Sequence, residues 1–262
     1  MTDSKPLAVV TGASSGIGRE LARQFATNGF DVIVAAEDSE LVAAVDDLAA
    51  TGAEIQPVRA DLATFGGVEQ LLAAIAATGR DVDAVALNAG VGNGGAFIDV
   101  PLADEERLID LNIGCTVHLA KRILPDMVAR GAGRVLFTSS VASQMPGPYY
   151  ATYAASKAFI QSFAQALRYE LKDTGVTVTA LLPGPTDTGF FGRADMEDTP
   201  AGSSAKDDPA TVARDGFEAL MAGKSQVVTG SLKNKIQTAG ARLMPDQARA
   251  AIHARMTKPR GH

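Results

Sequence analysis

Tyr153-Ala154-Ala155-Ser156-Lys157, with Ser140 thirteen positions upstream, holds residue types whose spacing can move a proton. A tyrosine hydroxyl, with an ordinary pKa of about 10, is a poor base at neutral pH. A lysine four residues later on a helix shares its face one turn away. Its ammonium favours the phenolate and is expected to lower the Tyr153 pKa. The Ser140 hydroxyl can hydrogen-bond the oxygen of a carbonyl or alcohol. Ser139 and Ser140 end one strand, so their side chains point to opposite faces and one of them faces Tyr153. Tyr149 and Tyr150 have no lysine at the fourth following position. They are expected to line a pocket or to pack near the entrance of the helix.

A proton step of this kind needs a partner, and the N-terminus suggests one. Leu7-Ala8-Val9-Val10-Thr11 is an apolar run of strand type, followed by Gly12-Ala13-Ser14-Ser15-Gly16-Ile17-Gly18 and a helical pattern. Gly12 permits a tight turn. Gly16 and Gly18 allow a diphosphate and a neighbouring strand close to the backbone, and the helix N-terminus offers free N–H groups and a positive dipole end. The spacing is G-x-x-x-G-x-G, which differs from the general G-x-G-x-x-G fingerprint.

Thr11 to Gly18, Asn88-Ala89-Gly90, Asn112, Ser140, Tyr153, Lys157 and Pro183-Gly184 together resemble the classical short-chain dehydrogenase/reductase family, in order and in spacing. The resemblance runs over roughly residues 5 to 230. It implies a Rossmann-type fold, a nicotinamide dinucleotide, NAD(H) or NADP(H), and a catalytic set of Ser140, Tyr153, Lys157 and Asn112. In that set Ser140 orients the substrate oxygen and Tyr153 is the general acid or base. Lys157 tunes Tyr153 and holds the nicotinamide ribose, and Asn112 relays protons through a water. The same resemblance gives the cofactor Gly12, Ser14, Ser15, Gly16, Ile17 and Gly18, then Asp61 and Leu62 beside the adenine. It adds Asn88, Ala89 and Gly90 at the adenosine ribose, and Pro183, Gly184, Thr186 and Thr188 as a clamp on the carboxamide and phosphate. Asp61 also suits a helix N-cap.

Cofactor preference is set after the second strand, where an acidic residue binds a ribose 2′-hydroxyl and an arginine accommodates a 2′-phosphate. This chain has Ala35-Ala36-Glu37-Asp38. The family's NAD-selecting aspartate falls on Ala36, and the arginine of many NADP users falls on Glu37. Glu37 would repel a phosphate, so the reading leans to NAD(H).

The elements that must position these groups follow from the alternation of patterns. Strands are expected at 7–11, 31–36, 54–60, 84–88, 134–139, 177–182 and 226–229. Helices are expected at 18–28, 39–50, 67–77, 104–130, 151–173 and 209–222. Several strands are continuous apolar runs, as parallel strands covered on both faces require. The expected fold class is α/β: a single Rossmann-type doubly wound domain with a seven-stranded, mostly parallel sheet between helices. Residues 1–230 form the binding and catalytic domain, and a segment at about 187–208 breaks the alternation as a substrate lid. Residues 231–262 form a basic, helical C-terminal extension around Ile236, Leu243 and Ile252. That extension holds seven Lys/Arg and one acidic residue, a net charge of +6, which leaves −12 on the rest of a chain of net charge −6. The asymmetry suits packing on the acidic body or on a neighbouring subunit.

An acidic chain with pI near 5.1 is not a bulk nucleic-acid binder. The single cysteine, Cys115, precludes an intrachain disulfide and fits a cytoplasmic location as a packed thiol. No apolar run is long enough for a transmembrane segment. His118, His253 and His262 show no metal-ligand spacing. The substrate pocket is expected to hold Val91, Met145, Tyr149, Tyr150, Phe190 and Phe191, without an arginine clamp. A hydrophobic ketone, aldehyde or secondary alcohol fits it, and a homodimer or homotetramer is expected. Two other readings keep the fold: a nicotinamide-binding regulatory or scaffold protein, and a non-redox epimerase or dehydratase.

Overall fold

A computed structural model describes residues 5–230 and 245–259. Strand β1 (Leu7–Thr11) shows how the sequence builds the sheet. Leu7 and Val9 join one apolar cluster, while Ala8 and Val10 join another. Successive side chains of a strand point to opposite faces, so a run that is apolar throughout must be covered twice. The same split recurs in β2 (Asp31–Ala36), where Ile33 and Ala35 face one cluster and Val32 and Val34 the other.

The remaining strands are β3 (Ile55–Arg59), β4 (Val82–Leu87), β5 (Gly133–Thr138), β6 (Val176–Leu182) and β7 (Gln226–Val228). They form one sheet in the order β3-β2-β1-β4-β5-β6-β7. Every neighbouring pair is parallel, where a mostly parallel sheet was expected. Pro57 cannot donate to a ladder, and it sits in β3 at the sheet edge. The strand order reverses between β1 and β4, which opens a crevice at the carboxyl ends of those strands.

Helices α1 (Gly16–Thr27), α2 (Glu40–Ala49) and α8 (Pro209–Met221) cover the face of Ala8 and Val10. Phe25 of α1 meets Phe217 of α8 edge-on, with ring centroids 5.2 Å apart. Helices α3 (Phe65–Ala77), α5 (Thr116–Arg130) and α6 (Ala151–Glu170) cover the other face. Burying a side chain such as Phe25 or Leu119 contributes about 1.5–3 kcal/mol.

The helix expected over 104–130 is not uniform. It consists of α4 (Leu102–Ile109), a π-helical turn (Asp110–Cys115) and α5. The wider turn coincides with Gly114, a weak helix former, and with the buried amide of Asn112, which bonds the segment after β4. Cys115 is a packed thiol, pushed up to about 12 by burial. The segment at 187–208 holds a short helix, α7 (Phe190–Arg193). In the C-terminal extension α9 (Asp246–Thr257) follows Pro245, while Ile236 and Leu243 lie outside the described residues. Among the described residues no helix is long and apolar enough to cross a membrane.

Candidate active site

The turn between β1 and α1 depends on glycine for two different reasons. Gly16 has φ 54°, and a Cβ there would lie 2.7 Å from Thr188 Cβ. Gly18 has ordinary backbone angles, but its Cβ would lie 2.0 Å from the Gly12 carbonyl oxygen. The turn is thus packed against β1 and against the segment after β6. Ser15 precedes α1 without a side-chain cap bond, and no acidic residue occupies the first turn. The first N–H groups of α1 therefore remain open to an anion.

Asn88 ties the central strands together at their carboxyl ends. Its N–H donates to Thr11 Oγ1 at 2.9 Å, and its amide donates to the Thr11 carbonyl at 3.2 Å. Thr138 Oγ1 donates to Asn88 Oδ1 at 3.0 Å. These bonds fix the turn after β4 to the ends of β1 and β5.

At the end of β5 the two serines divide as expected. Ser139 Oγ donates to the Lys157 carbonyl at 2.8 Å and fixes α6. Ser140 Oγ accepts from Ala142 N at 3.1 Å and lies near enough to Tyr153 to favour its phenolate. Tyr153 lies on the first turns of α6, and Lys157 is one turn further on. Lys157 is buried, and its Nζ donates to the Thr138 carbonyl at 3.0 Å. Nζ also stands 5.7 Å from the centroid of the Tyr153 ring.

The direction of the Tyr153 pKa shift differs from the sequence expectation. Burial pushes Tyr153 up to about 12, opposed only in part by Ser140. Burial also pushes Lys157 down to about 8. Each charged form loses water it cannot replace, and the lysine is engaged with a backbone carbonyl. At neutral pH Tyr153 is a protonated acid.

Asn112 is enclosed rather than exposed to the cavity. Its Oδ1 accepts from Val91 N at 2.9 Å, and its Nδ2 donates to Val91 O and to Ser156 Oγ, both at 3.0 Å. It fastens the segment after β4 to α6. The Gly90 backbone lies between Asn112 and Lys157, since a Cβ there would meet Asn112 Oδ1 at 3.0 Å and Lys157 Nζ at 3.3 Å.

These groups surround one cavity of about 860 Å³, towards the upper end of the range for ligand clefts. Its lining includes Gly12, Ser14 to Gly18, Glu37, Asp61, Leu62 and Asn88 to Val91, together with Ser140, Met145, Tyr150, Tyr153, Lys157, Pro183, Gly184, Thr186, Thr188, Phe190 and Phe191. Phe190 packs on the Tyr153 ring at 5.1 Å. Tyr149 does not line the cavity, contrary to expectation. Its backbone has φ 65°, and its carbonyl instead accepts from Gly95 N at 2.8 Å.

Several lining residues are not apparent from the motifs. Arg193 and Lys206, in the segment between β6 and α8, bring two cations to a lining expected to lack an arginine. Arg107 of α4 pairs with Glu37 at 2.5 Å and with Asp61 at 3.1 Å. That arginine holds the Asp61 carboxyl below the usual carboxylate range. Asp38 accepts from Ser14 Oγ at 2.8 Å. His253, Met256 and Thr257 of α9 also line the cavity. The described part of the basic extension thus packs over the cavity. Arg249 there donates to the Gln144 carbonyl at 3.0 Å.

A doubly wound parallel sheet with a glycine-rich first turn opening on its switch point defines a nucleotide-binding protein of the Rossmann type. The sequence matches the model of the short chain dehydrogenase family over residues 6–198, and the chain belongs to that family of oxidoreductases. It is 34% identical over 214 residues to the oxidoreductase UcpA of Salmonella typhimurium, covering 81% of this chain and 79% of that protein. Two solved structures are similar in fold. One is a short-chain dehydrogenase from Sphingobium yanoikuyae in complex with NADPH (28% identity, TM-score 0.78, 91% of this chain and 94% of that one). The other is a short chain dehydrogenase/reductase from Burkholderia phymatum in complex with NAD (27% identity, TM-score 0.79, 93% and 94%).

Proposed function

We propose that this chain transfers hydride between a nicotinamide dinucleotide and a hydrophobic ketone, aldehyde or secondary alcohol. The observation that carries the reading is that Ser140, Tyr153 and Lys157 meet in the same cavity as the open N-terminus of α1. The residues fit such a cofactor. First-turn N–H groups of α1 would take the diphosphate, and Lys157, Thr186 and Thr188 would hold the nicotinamide half. The cofactor contributes the hydride itself. In the reducing direction Ser140 orients the carbonyl oxygen, and Tyr153 gives it a proton as hydride reaches the carbon. In the oxidising direction Tyr153 must first lose its proton, and the phenolate then takes the proton of the alcohol. Asn112 holds Val91 and Ser156 in place behind this set. Val91, Met145, Tyr150, Phe190 and Phe191 give the substrate end an apolar wall. Steady oxidation of NADH or NADPH by apolar ketones tests the reading. Turnover of charged sugars, with none of apolar carbonyl compounds, would refute the substrate class.

NAD(H) remains the favoured cofactor, although one related structure holds NADPH and another NAD. Four carboxylates, Glu37, Asp38, Glu40 and Asp61, line the adenosine end, and Arg107 offsets part of their charge. Glu37→Gln is expected to raise affinity for NADPH relative to NADH about two- to fivefold, the scale of an exposed charge contact. Fluorescence titration with each cofactor measures the ratio. An unchanged ratio would mean that Arg107 already neutralises Glu37.

A homodimer or homotetramer is also proposed. Phe159 on α6 is partly exposed and stacks on Phe163, and Phe97, Ile98 and Leu102 are exposed before and at the start of α4. Light scattering at micromolar concentration is expected to give a multiple of the 27.1 kDa chain mass. A monomeric mass would refute it.

A further inference from the structure

We propose that His253, on the C-terminal helix α9, is a positioning residue for this reaction, acting through Tyr150 to hold the ring of Tyr153 in the cavity wall. The inference rests on the reading of Tyr153 as the proton-transferring group.

The hydrogen bonds around His253 assign its tautomer. Its Nδ1 lies 2.9 Å from the Pro146 carbonyl, which can only accept. Nδ1 therefore carries the proton, and Nε2 of the neutral ring is an acceptor. The Tyr150 hydroxyl is bonded to Nε2 and must be the donor. Burial lowers the His253 pKa and raises that of Tyr150, so both groups stay neutral and the bond keeps its direction.

Tyr150 carries the constraint to the catalytic group. Its ring stacks on that of Tyr153 with centroids 5.7 Å apart and planes 23° apart. Phe190 of the lid meets Tyr153 at 5.1 Å. The catalytic ring is thus in contact with two aromatic neighbours, one of them fixed by His253. The helix that presents His253 is itself anchored. Thr257, one turn on, donates to the Pro148 carbonyl at 2.8 Å, and the Met256 carbonyl accepts from Ala201 N at 2.8 Å. α9 therefore bridges the segment before α6 and the lid.

A merely structural role for His253 would lower stability without a specific change at Tyr153. Tyrosine labelled with 13C at Cζ separates the two cases, because the chain has only four tyrosines. Single Tyr→Phe variants assign the signals. His253→Leu is expected to move the signals of Tyr150 and Tyr153 together. It is also expected to lower kcat about tenfold on the apolar ketone that wild type reduces fastest. The KM for the nicotinamide cofactor should stay within about twofold. His253→Gln, whose amide can both donate and accept, should restore most of kcat. Tyr150→Phe keeps the stacked ring and removes the hydrogen bond, so it should shift the Tyr153 signal even where His253→Leu fails to fold. An unmoved Tyr153 signal, or an unchanged kcat, would overturn the positioning role alone. Turnover that survives Tyr153→Phe would instead overturn the functional reading on which it rests.

Discussion

Tyr153→Phe is expected to lower kcat by about 10²–10⁴-fold, the usual contribution of a positioned acid or base. Affinity for the nicotinamide cofactor should change by less than about threefold. The ring keeps its contacts with Tyr150 and Phe190, so the variant should fold as wild type does. It loses only the hydroxyl, the acidic group placed by the fold beside Ser140. Paired turnover and fluorescence-titration measurements separate the two effects. Retained turnover would remove Tyr153 from the mechanism. A parallel loss of cofactor affinity would make it a binding residue.

Lys157→Met is expected to lower kcat/KM by about 10²-fold or more and to weaken cofactor binding, since it removes the buried ammonium beside Tyr153. It carries a second signature in stability. The folded-state pKa of Lys157 is lowered from 10.5 to about 8. Between those values the unfolded chain binds more protons than the folded one, so this group's contribution rises with pH. Below pH 8 both states carry the charge. The buried ammonium then costs roughly 3 kcal/mol, because each tenfold loss of proton affinity is worth about 1.4 kcal/mol. Wild type minus variant stability should therefore rise between about pH 8 and 10.5. Taking the difference cancels the opposing alkaline effects of Cys115, Tyr150 and Tyr153. Denaturant unfolding across that window measures it. A difference independent of pH would show that Lys157 is not desolvated in the native state.

Much of this site was legible in the sequence because its chemistry is local. Tyr153 and Lys157 share a helix face, and Gly12, Gly16 and Gly18 share one turn, so spacing alone conveys their geometry. The sheet was legible for a similar reason: doubly buried strands are apolar throughout. What escaped depends on distant packing. Arg107 reaches Glu37 and Asp61 across 70 and 46 positions of sequence, and no local pattern marks an arginine on α4 as a partner of either. His253 meets Tyr150 across 103 positions, from an extension that composition described only as basic and helical. Tyr149 was misplaced because a positive φ turns the backbone at a non-glycine residue, which residue type does not announce. The direction of the Tyr153 pKa shift was missed because i to i+4 spacing predicts proximity but not burial. Arg193 and Lys206 fall in the irregular segment between β6 and α8, where periodicity gives no orientation.

Nicotinamide absorbance over time is the most direct measurement, with NADH and NADPH supplied separately against apolar ketones, aldehydes and quinones. The predicted result is steady loss of reduced nicotinamide by wild type, faster with NADH, and none above background by Tyr153→Phe. Tight binding of the cofactor without its consumption, across the whole panel, would contradict hydride transfer to an apolar carbonyl. It would favour a binding or non-redox role for the same fold.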